Sequence, residues 1–162
     1  MQVIEAKTAK LFEAAGALGA IAAGADRSTE RALSEYARRL GVAFQIADDV
    51  LDYRGDTASM GKCLGDDLAE GKLTLPIIIT LQRGSEHGKT LVRKVIAKPH
   101  AIEQQQFTQV MAALEECGAL DESLAKAQCE AQAAAAELVN LPDSAAKKWM
   151  LELCSYAIKR HA

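Results

Sequence analysis

The chain reads as a succession of helices, its apolar residues recurring at the three- and four-residue spacing of an amphipathic helix. From Met1 to about Gly24 the chain is Ala-rich, with Leu11, Phe12, Leu18 and Ile21 as its larger apolar residues. Gly16, Gly19 and Gly24 interrupt it. Each glycine costs a helix roughly 1 kcal/mol against alanine, so their presence predicts close approach by a neighbouring element. Asp26-Arg27-Ser28-Thr29-Glu30 is a turn with candidate N-caps. A long helix is then expected through Leu33, Tyr36, Ala37, Leu40, Phe44, Ala47 and Leu51. It stops near Tyr53, because Arg54-Gly55-Asp56-Thr57 is turn chemistry.

Residues 54–73, with Gly55, Gly61, Gly65 and Gly71 among charged side chains, form one long irregular stretch. Loops of that length in a compact domain are usually functional. The run Ile77-Ile78-Ile79-Thr80-Leu81 could be a strand on its own, but no partner strand exists, so a buried helix opening near Pro76 is expected. Gly84 to Gly88 reads as a turn. Helices follow around Leu91 to Ile96, around Phe107 to Leu114 as far as Cys117-Gly118, from Leu120 to Leu138, and around Trp149 to Ile158. No linker or repeat divides them, so residues 1–162 read as a single all-α unit whose last three helices are packing material.

Apolar residues make up 49% and charged residues 25%, which excludes general disorder. With 19 Lys and Arg against 22 Asp and Glu, the net charge of -3 argues against nucleic acid as partner. At 4%, aromatics are too sparse for base-stacking platforms. The uncharged run Ala14 to Ala25 is well short of the ~20 residues that span a bilayer, and Met1-Gln2-Val3-Ile4-Glu5 lacks a basic region followed by an apolar stretch, so no signal peptide is expected. Cys63, Cys117, Cys129 and Cys154 are isolated, as expected of a cytoplasmic chain.

The candidate chemistry lies in residues 44–76. On the long helix Asp48 and Asp52 share a face and Asp49 lies about 100° round. Like charges at that spacing repel, the more so among Val42, Phe44, Ile46, Val50 and Leu51. A cluster of carboxylates without His or Cys suits Mg²⁺; the bland alternative is a solvated acidic face. Gln45 adds a polar group one turn ahead of Asp49. Lys62 and Lys72 lie in the following loop beside Gly61 and Gly71, and Lys7-Thr8 lies on the first helix. A lone lysine is usually a surface residue, but lysines together with an Asp cluster describe a diphosphate held between Mg²⁺ and ammonium groups. Arg38-Arg39 reads as a solvated helix face. The stretch from Gly55 to Cys63 imitates a phosphate-binding loop, yet it follows a helix, has one residue too many between its glycines, and has Cys where Ser or Thr belongs.

These segments carry a resemblance. Gly41-Val42-Ala43-Phe44-Gln45-Ile46-Ala47-Asp48-Asp49-Val50-Leu51-Asp52-Tyr53, then Gly61-Lys62, Gly65-Asp66-Asp67-Leu68 and Glu70-Gly71-Lys72-Leu73-Thr74-Leu75-Pro76, resemble the second aspartate-rich region of the trans-isoprenyl (polyprenyl) diphosphate synthases. Lys7-Thr8-Ala9-Lys10-Leu11-Phe12 is similar to the family's Lys-Thr segment. The likeness covers the whole chain and is greatest to the bacterial octaprenyl type, although farnesyl and geranylgeranyl synthases share most of the motifs. It implies a helical isoprenoid-synthase bundle that condenses isopentenyl diphosphate with an allylic diphosphate. It further implies Asp48 as a ligand of Mg²⁺, Asp49 and Asp52 as further ligands or water-holders, and Lys7, Lys62 and Lys72 as cations for the diphosphate. Gln45, Thr8 and Phe44 would line the pocket where the allylic cation forms.

The family's first aspartate-rich motif, and its arginines for isopentenyl diphosphate, have no counterpart here. The chain therefore looks like the C-terminal half of such an enzyme, inactive alone and presenting an apolar face to a missing N-terminal half or to a second copy in a homodimer. Two alternatives stand beside this: a non-catalytic helical partner completing a split enzyme, and a fragment of a class I terpene cyclase. The Glu70-Gly71-Lys72-Leu73-Thr74 segment favours the chain-elongating synthase.

Overall fold

The computed structural model describes residues 1–54, 65–98 and 102–159. Among them every regular element is helical. In chain order these are α1 (Gln2–Ile4), a π-helical turn (Glu5–Ala9), α2 (Lys10–Ala22), α3 (Arg27–Arg54), α4 (Asp66–Ala69), α5 (Leu75–Arg83), α6 (Glu86–Ile96), α7 (Gln104–Glu116), α8 (Ala119–Glu137) and α9 (Ala145–Lys159). No helix among the described residues is long and apolar enough to cross a membrane. Contacts group the chain into two compact units, Met1–Ala47 with the described residues from Ala125 on, and Asp48–Leu124.

The core of the first unit is built from small residues. Tyr36, Ala37, Leu40 and Ala43 of α3 pack with Ala131, Ala134 and Leu138 and with Cys154 and Ala157 of α9. Alanines on facing ridges let helix axes approach closely. Tyr36, 5% exposed, uses its hydroxyl to donate to the Met150 carbonyl at 2.9 Å, so its one polar atom is satisfied in the core. Gly16 lies against the Leu33 carbonyl and Ala37 Cβ, the close approach that glycine in this helix predicts. Gly19 has open space around its Cα instead. Arg38 and Arg39 are not a solvated face. Arg38 pairs with Glu35 at 2.6 Å, and Arg39 reaches Glu35 at 2.9 Å, Glu130 at 3.4 Å and Glu137 at 3.6 Å. A shallow apolar groove of about 560 Å³ opens between α2, α3 and α9, over Phe12, Gly16, Leu33 and Leu153. Leu11, Leu18, Ile21 and Trp149 stand exposed on the same helices.

The second unit has larger core side chains: Val50 and Tyr53 from α3, Leu68 from α4, Ile77 and Ile79 from α5, Val92 and Val95 from α6, with Val110, Leu114 and Leu120. The Ile-rich run is helical, with Pro76 near its start where a missing N–H costs nothing. Gly88 falls inside α6 rather than in a turn: the Ser85 side chain, three residues before it, accepts from the Gly88 amide and caps the helix. Residues 65–73 are also less irregular than their composition predicts. Leu68, with no exposed surface, anchors the single turn α4 to the core.

Candidate functional site

Lys7 and Thr8 sit in the π-helical turn Glu5–Ala9. Such a turn widens the helix by one residue and re-aims the side chains it carries, and it recurs at functional sites. Thr8 Oγ1 donates to Gln45 Oε1 of α3 at 2.7 Å. The approach is permitted by Gly41, one turn earlier on α3: a Cβ there would lie 3.0 Å from Ala9 Cα and 3.0 Å from the Phe12 ring. The rings of Phe12 and Phe44 face each other with centroids 6.0 Å apart, a favourable tilted pair. Three residues expected to line a pocket, Thr8, Phe44 and Gln45, are thus fixed within the first unit, and Lys7 is exposed beside Thr8.

The aspartates belong to the second unit. Asp48 is exposed, Asp49 is 6% exposed and Asp52 is half-buried. Asp52 is tied to the far side of the loop: its carbonyl accepts from the Gly65 amide at 2.9 Å, and its Oδ2 accepts from the Asp67 amide at 3.1 Å. Gly65 has φ +83° and stands against the Phe107 ring, a position that admits no side chain. Burial pushes the Asp52 carboxyl up to about 6, and the neighbouring Asp67 and Asp66 carboxylates push the same way. The Asp67 amide and the Lys72 ammonium oppose them.

Lys72 reaches Asp67 Oδ1 at 2.6 Å and Glu70 Oε2 at 2.8 Å, and these acids hold its ammonium more firmly protonated than usual. In this structure Lys72 is engaged by carboxylates of its own loop. Next to Asp52, the buried Tyr53 hydroxyl lies 3.1 Å from Thr74 Oγ1, and burial keeps the phenol protonated far above its ordinary range. Lys62 lies outside the described residues, as do Gly61 and Cys63.

A hard divalent cation takes oxygen donors. The charges of Asp66 and Asp67 bear on Asp52, and the Lys72 ammonium pairs with Asp67 and Glu70. Among the described residues, however, no three His, Cys, Asp or Glu side chains are gathered into a ready coordination shell. The donors fit such a cation in kind, with part of the shell left to other oxygens. The sequence alone assigns no role to Asp66, Asp67 and Glu70. A left-handed glycine followed by two acids at the start of a helical turn is the signal that could have found them.

Comparison with known proteins gives a consistent picture. The polyprenyl synthetase family pattern matches residues 1–114. The octaprenyl diphosphate synthase of Haemophilus influenzae is 40% identical over 161 residues, 99% of this chain and 48% of that protein. An all-trans-nonaprenyl-diphosphate synthase of Rhodobacter capsulatus is 39% identical over 160 residues, again 99% of this chain and 48% of its own length. The crystal structure of a polyprenyl synthase from Caulobacter crescentus, complexed with calcium and isoprenyl diphosphate, superposes with a TM-score of 0.90 at 38% identity, covering 99% of this chain and 48% of that one. The chain spans about half the length of the curated relatives it matches.

Proposed function

This chain belongs to the polyprenyl synthetase family, and from that premise we propose that it supplies one half of a trans-prenyltransferase, the half that holds a divalent cation and a diphosphate. The reaction is the head-to-tail condensation of isopentenyl diphosphate with an allylic diphosphate. The observation that carries the reading is the convergence of Asp52 and Asp67, two carboxylates that repel each other in a half-buried site and are eased by a cation.

Asp48, Asp49 and Asp52 are the proposed ligands of Mg²⁺, with Asp67 as an added candidate. Bound there, Mg²⁺ would stabilise the negative charge that grows on diphosphate as the allylic carbon–oxygen bond opens. The remaining work falls to the chain's own side chains. Lys7 and Lys62 offer ammonium groups to the diphosphate. Lys72 can join them once its carboxylate partners Asp67 and Glu70 turn to the cation. The Thr8–Gln45 pair presents a fixed dipole and Phe44 an apolar wall to the allylic group. Relatives named for octaprenyl and nonaprenyl products are about equally similar, so an octaprenyl-like product is proposed only as a long-chain one.

We read residues 1–162 as one all-helical unit, working in the cytoplasm with a complementary half or with a second copy. The exposed apolar side chains of α2 and α9 support that reading, as does the span of half the relatives' length. The same observation supports a helical partner that lends its cation site without catalysing alone. The family match leaves the terpene cyclase alternative without support. Labelled isopentenyl diphosphate offered with farnesyl diphosphate and Mg²⁺ tests the cation site on which both of these readings rest. The chain alone should give no elongated product, and mixing it with the N-terminal half of an octaprenyl diphosphate synthase should restore turnover. If the mixture turns over equally well when Asp48→Ala replaces the native residue, the enzyme-half reading is wrong.

A further inference from the structure

Two consecutive residues of α3 hold the two ends of the same loop. Asp52 takes the first end, accepting from the Gly65 amide on its carbonyl at 2.9 Å and from the Asp67 amide on its carboxylate at 3.1 Å. Tyr53 takes the second end, through the 3.1 Å contact between its hydroxyl and that of Thr74. Successive side chains on a helix diverge by about 100°, so the segment from Gly65 to Thr74 grips the end of α3 from two sides. Between its ends the segment is closed on itself. The Lys72 amide donates to the Asp67 carbonyl at 2.9 Å, Gly71 donates to Leu68 at 3.0 Å, and Leu68 is fully buried. A movement of Thr74 is therefore passed to Lys72, and from Lys72 to Asp67.

The Tyr53–Thr74 contact is out of reach of water. Tyr53 is 2% exposed and Thr74 6%. A hydroxyl pair in such a place is costly to break, because each partner would be left without a hydrogen bond in the core. The far end of the loop, by contrast, works against itself: the Asp67 amide on the Asp52 carboxylate brings two acids, Asp66 and Asp67, to a half-buried third whose charge they repel. Without a clamp at Thr74, the loop can relax that repulsion by swinging Asp67 away from α3.

We propose that Tyr53 is a positioning residue, whose hydroxyl, through Thr74, holds Asp67 against Asp52 so that both carboxylates are in place before a divalent cation arrives. This rests on the cation reading above and adds to it a residue that touches neither cation nor substrate. Tyr53→Phe removes one oxygen and keeps the ring that fills the core. Thr74→Val removes the other partner, and Thr74→Ser keeps it. Thr80→Val serves as the control: Thr80 is equally buried in the same unit, and its hydroxyl donates to the Pro76 carbonyl at 2.9 Å.

The test titrates the full chain with Mn²⁺, counting free ion by its electron spin resonance, and separately follows exchange of the Asp67 amide in the metal-free chain. Tyr53→Phe and Thr74→Val should each weaken Mn²⁺ binding about five- to tenfold, the scale of one lost buried hydrogen bond. Both should speed exchange at Asp67. Thr74→Ser should bind close to wild type, and Thr80→Val should lower the melting temperature with neither effect. Unchanged Mn²⁺ affinity and unchanged exchange in Tyr53→Phe would overturn the proposal while leaving the cation site standing. Equal weakening by Thr80→Val would overturn it by reducing the effect to general loosening. A wild-type chain that binds no Mn²⁺ would overturn the cation reading and this proposal together.

Discussion

Thr8 Oγ1 donates to Gln45 Oε1 at 2.7 Å, joining a π-helical turn to a position on α3 that lies 37 residues on. The bond is partly buried, so losing one partner strands the other. Thr8→Val should destabilise the chain by about 1 kcal/mol and Gln45→Leu by a similar amount, while the double variant should cost clearly less than the sum. Urea unfolding followed by circular dichroism measures all three. Strict additivity would mean the two side chains do not support each other.

Asp52 should make stability fall as pH rises. Its carboxyl titrates at about 6 in the folded chain against 3.8 for an unstrained aspartate. Below both values the group is protonated in either state and contributes nothing. Between them the folded state holds the extra proton, so stability declines with rising pH, and above about 6 the whole cost is present. Asp52→Asn should therefore be more stable than wild type at pH 7, with the gap closing toward pH 4. Mg²⁺ should narrow the gap at pH 7, since it favours the ionised carboxylate. Thermal melts of both chains between pH 4 and 8, with and without Mg²⁺, provide the comparison; a gap that widens on acidification would contradict it.

Gly65 carries two separate constraints, a left-handed backbone and the Phe107 ring. Gly65→Ala should cost about 1–3 kcal/mol from the backbone alone, with the clash adding to it. In a Phe107→Ala background the clash disappears and the backbone cost remains, so the second measurement of Gly65→Ala should be smaller but not zero. Equal penalties in both backgrounds would show that the ring yields freely.

The apolar groove of the first unit should drive association. Leu11, which lines it, is 76% exposed, and Trp149 on α9, one of the groove's helices, is 66% exposed; large apolar side chains left open in this way are unusual on a monomer. Light scattering at micromolar concentration should show a dimer or larger species, and Leu11→Lys with Trp149→Lys should shift it toward monomer. A wild-type chain that stays monomeric and unfolds cooperatively would contradict the idea that this face is made to be covered.

The helices and their order were legible because helical periodicity and Pro or Gly punctuation act locally. The absence of a partner strand decided the Ile77-Ile78-Ile79 run correctly. Features set by long-range contacts were not legible. Nothing in Glu5-Ala6-Lys7-Thr8-Ala9 announces a π turn, which exists where Thr8 meets Gln45 across 37 residues. Arg38 and Arg39 read as solvated because part of what holds them is remote in sequence: Arg38 reaches Glu5, 33 residues back, and Arg39 reaches Glu130 and Glu137, more than ninety residues on. Among the site residues, Asp48, Asp49 and Asp52 stood out as a helical cluster. The partner of Asp52, Asp67, did not, because a loop closure brings it there and no periodicity encodes that.

Calorimetric titration with inorganic diphosphate, in the presence and absence of Mg²⁺, is the most direct measurement. If Asp48 and Asp52 hold Mg²⁺ against a diphosphate drawn in by Lys7 and Lys62, each ligand must tighten the other by the same factor, and roughly 5–150-fold is the usual range. Lys62→Ala should weaken diphosphate binding and spare the weaker metal-only site, whereas Asp48→Ala should abolish the coupling. Diphosphate affinity that is equal with and without Mg²⁺, or an Asp48→Ala chain that couples normally, would leave the aspartates of α3 with no part in holding a diphosphate.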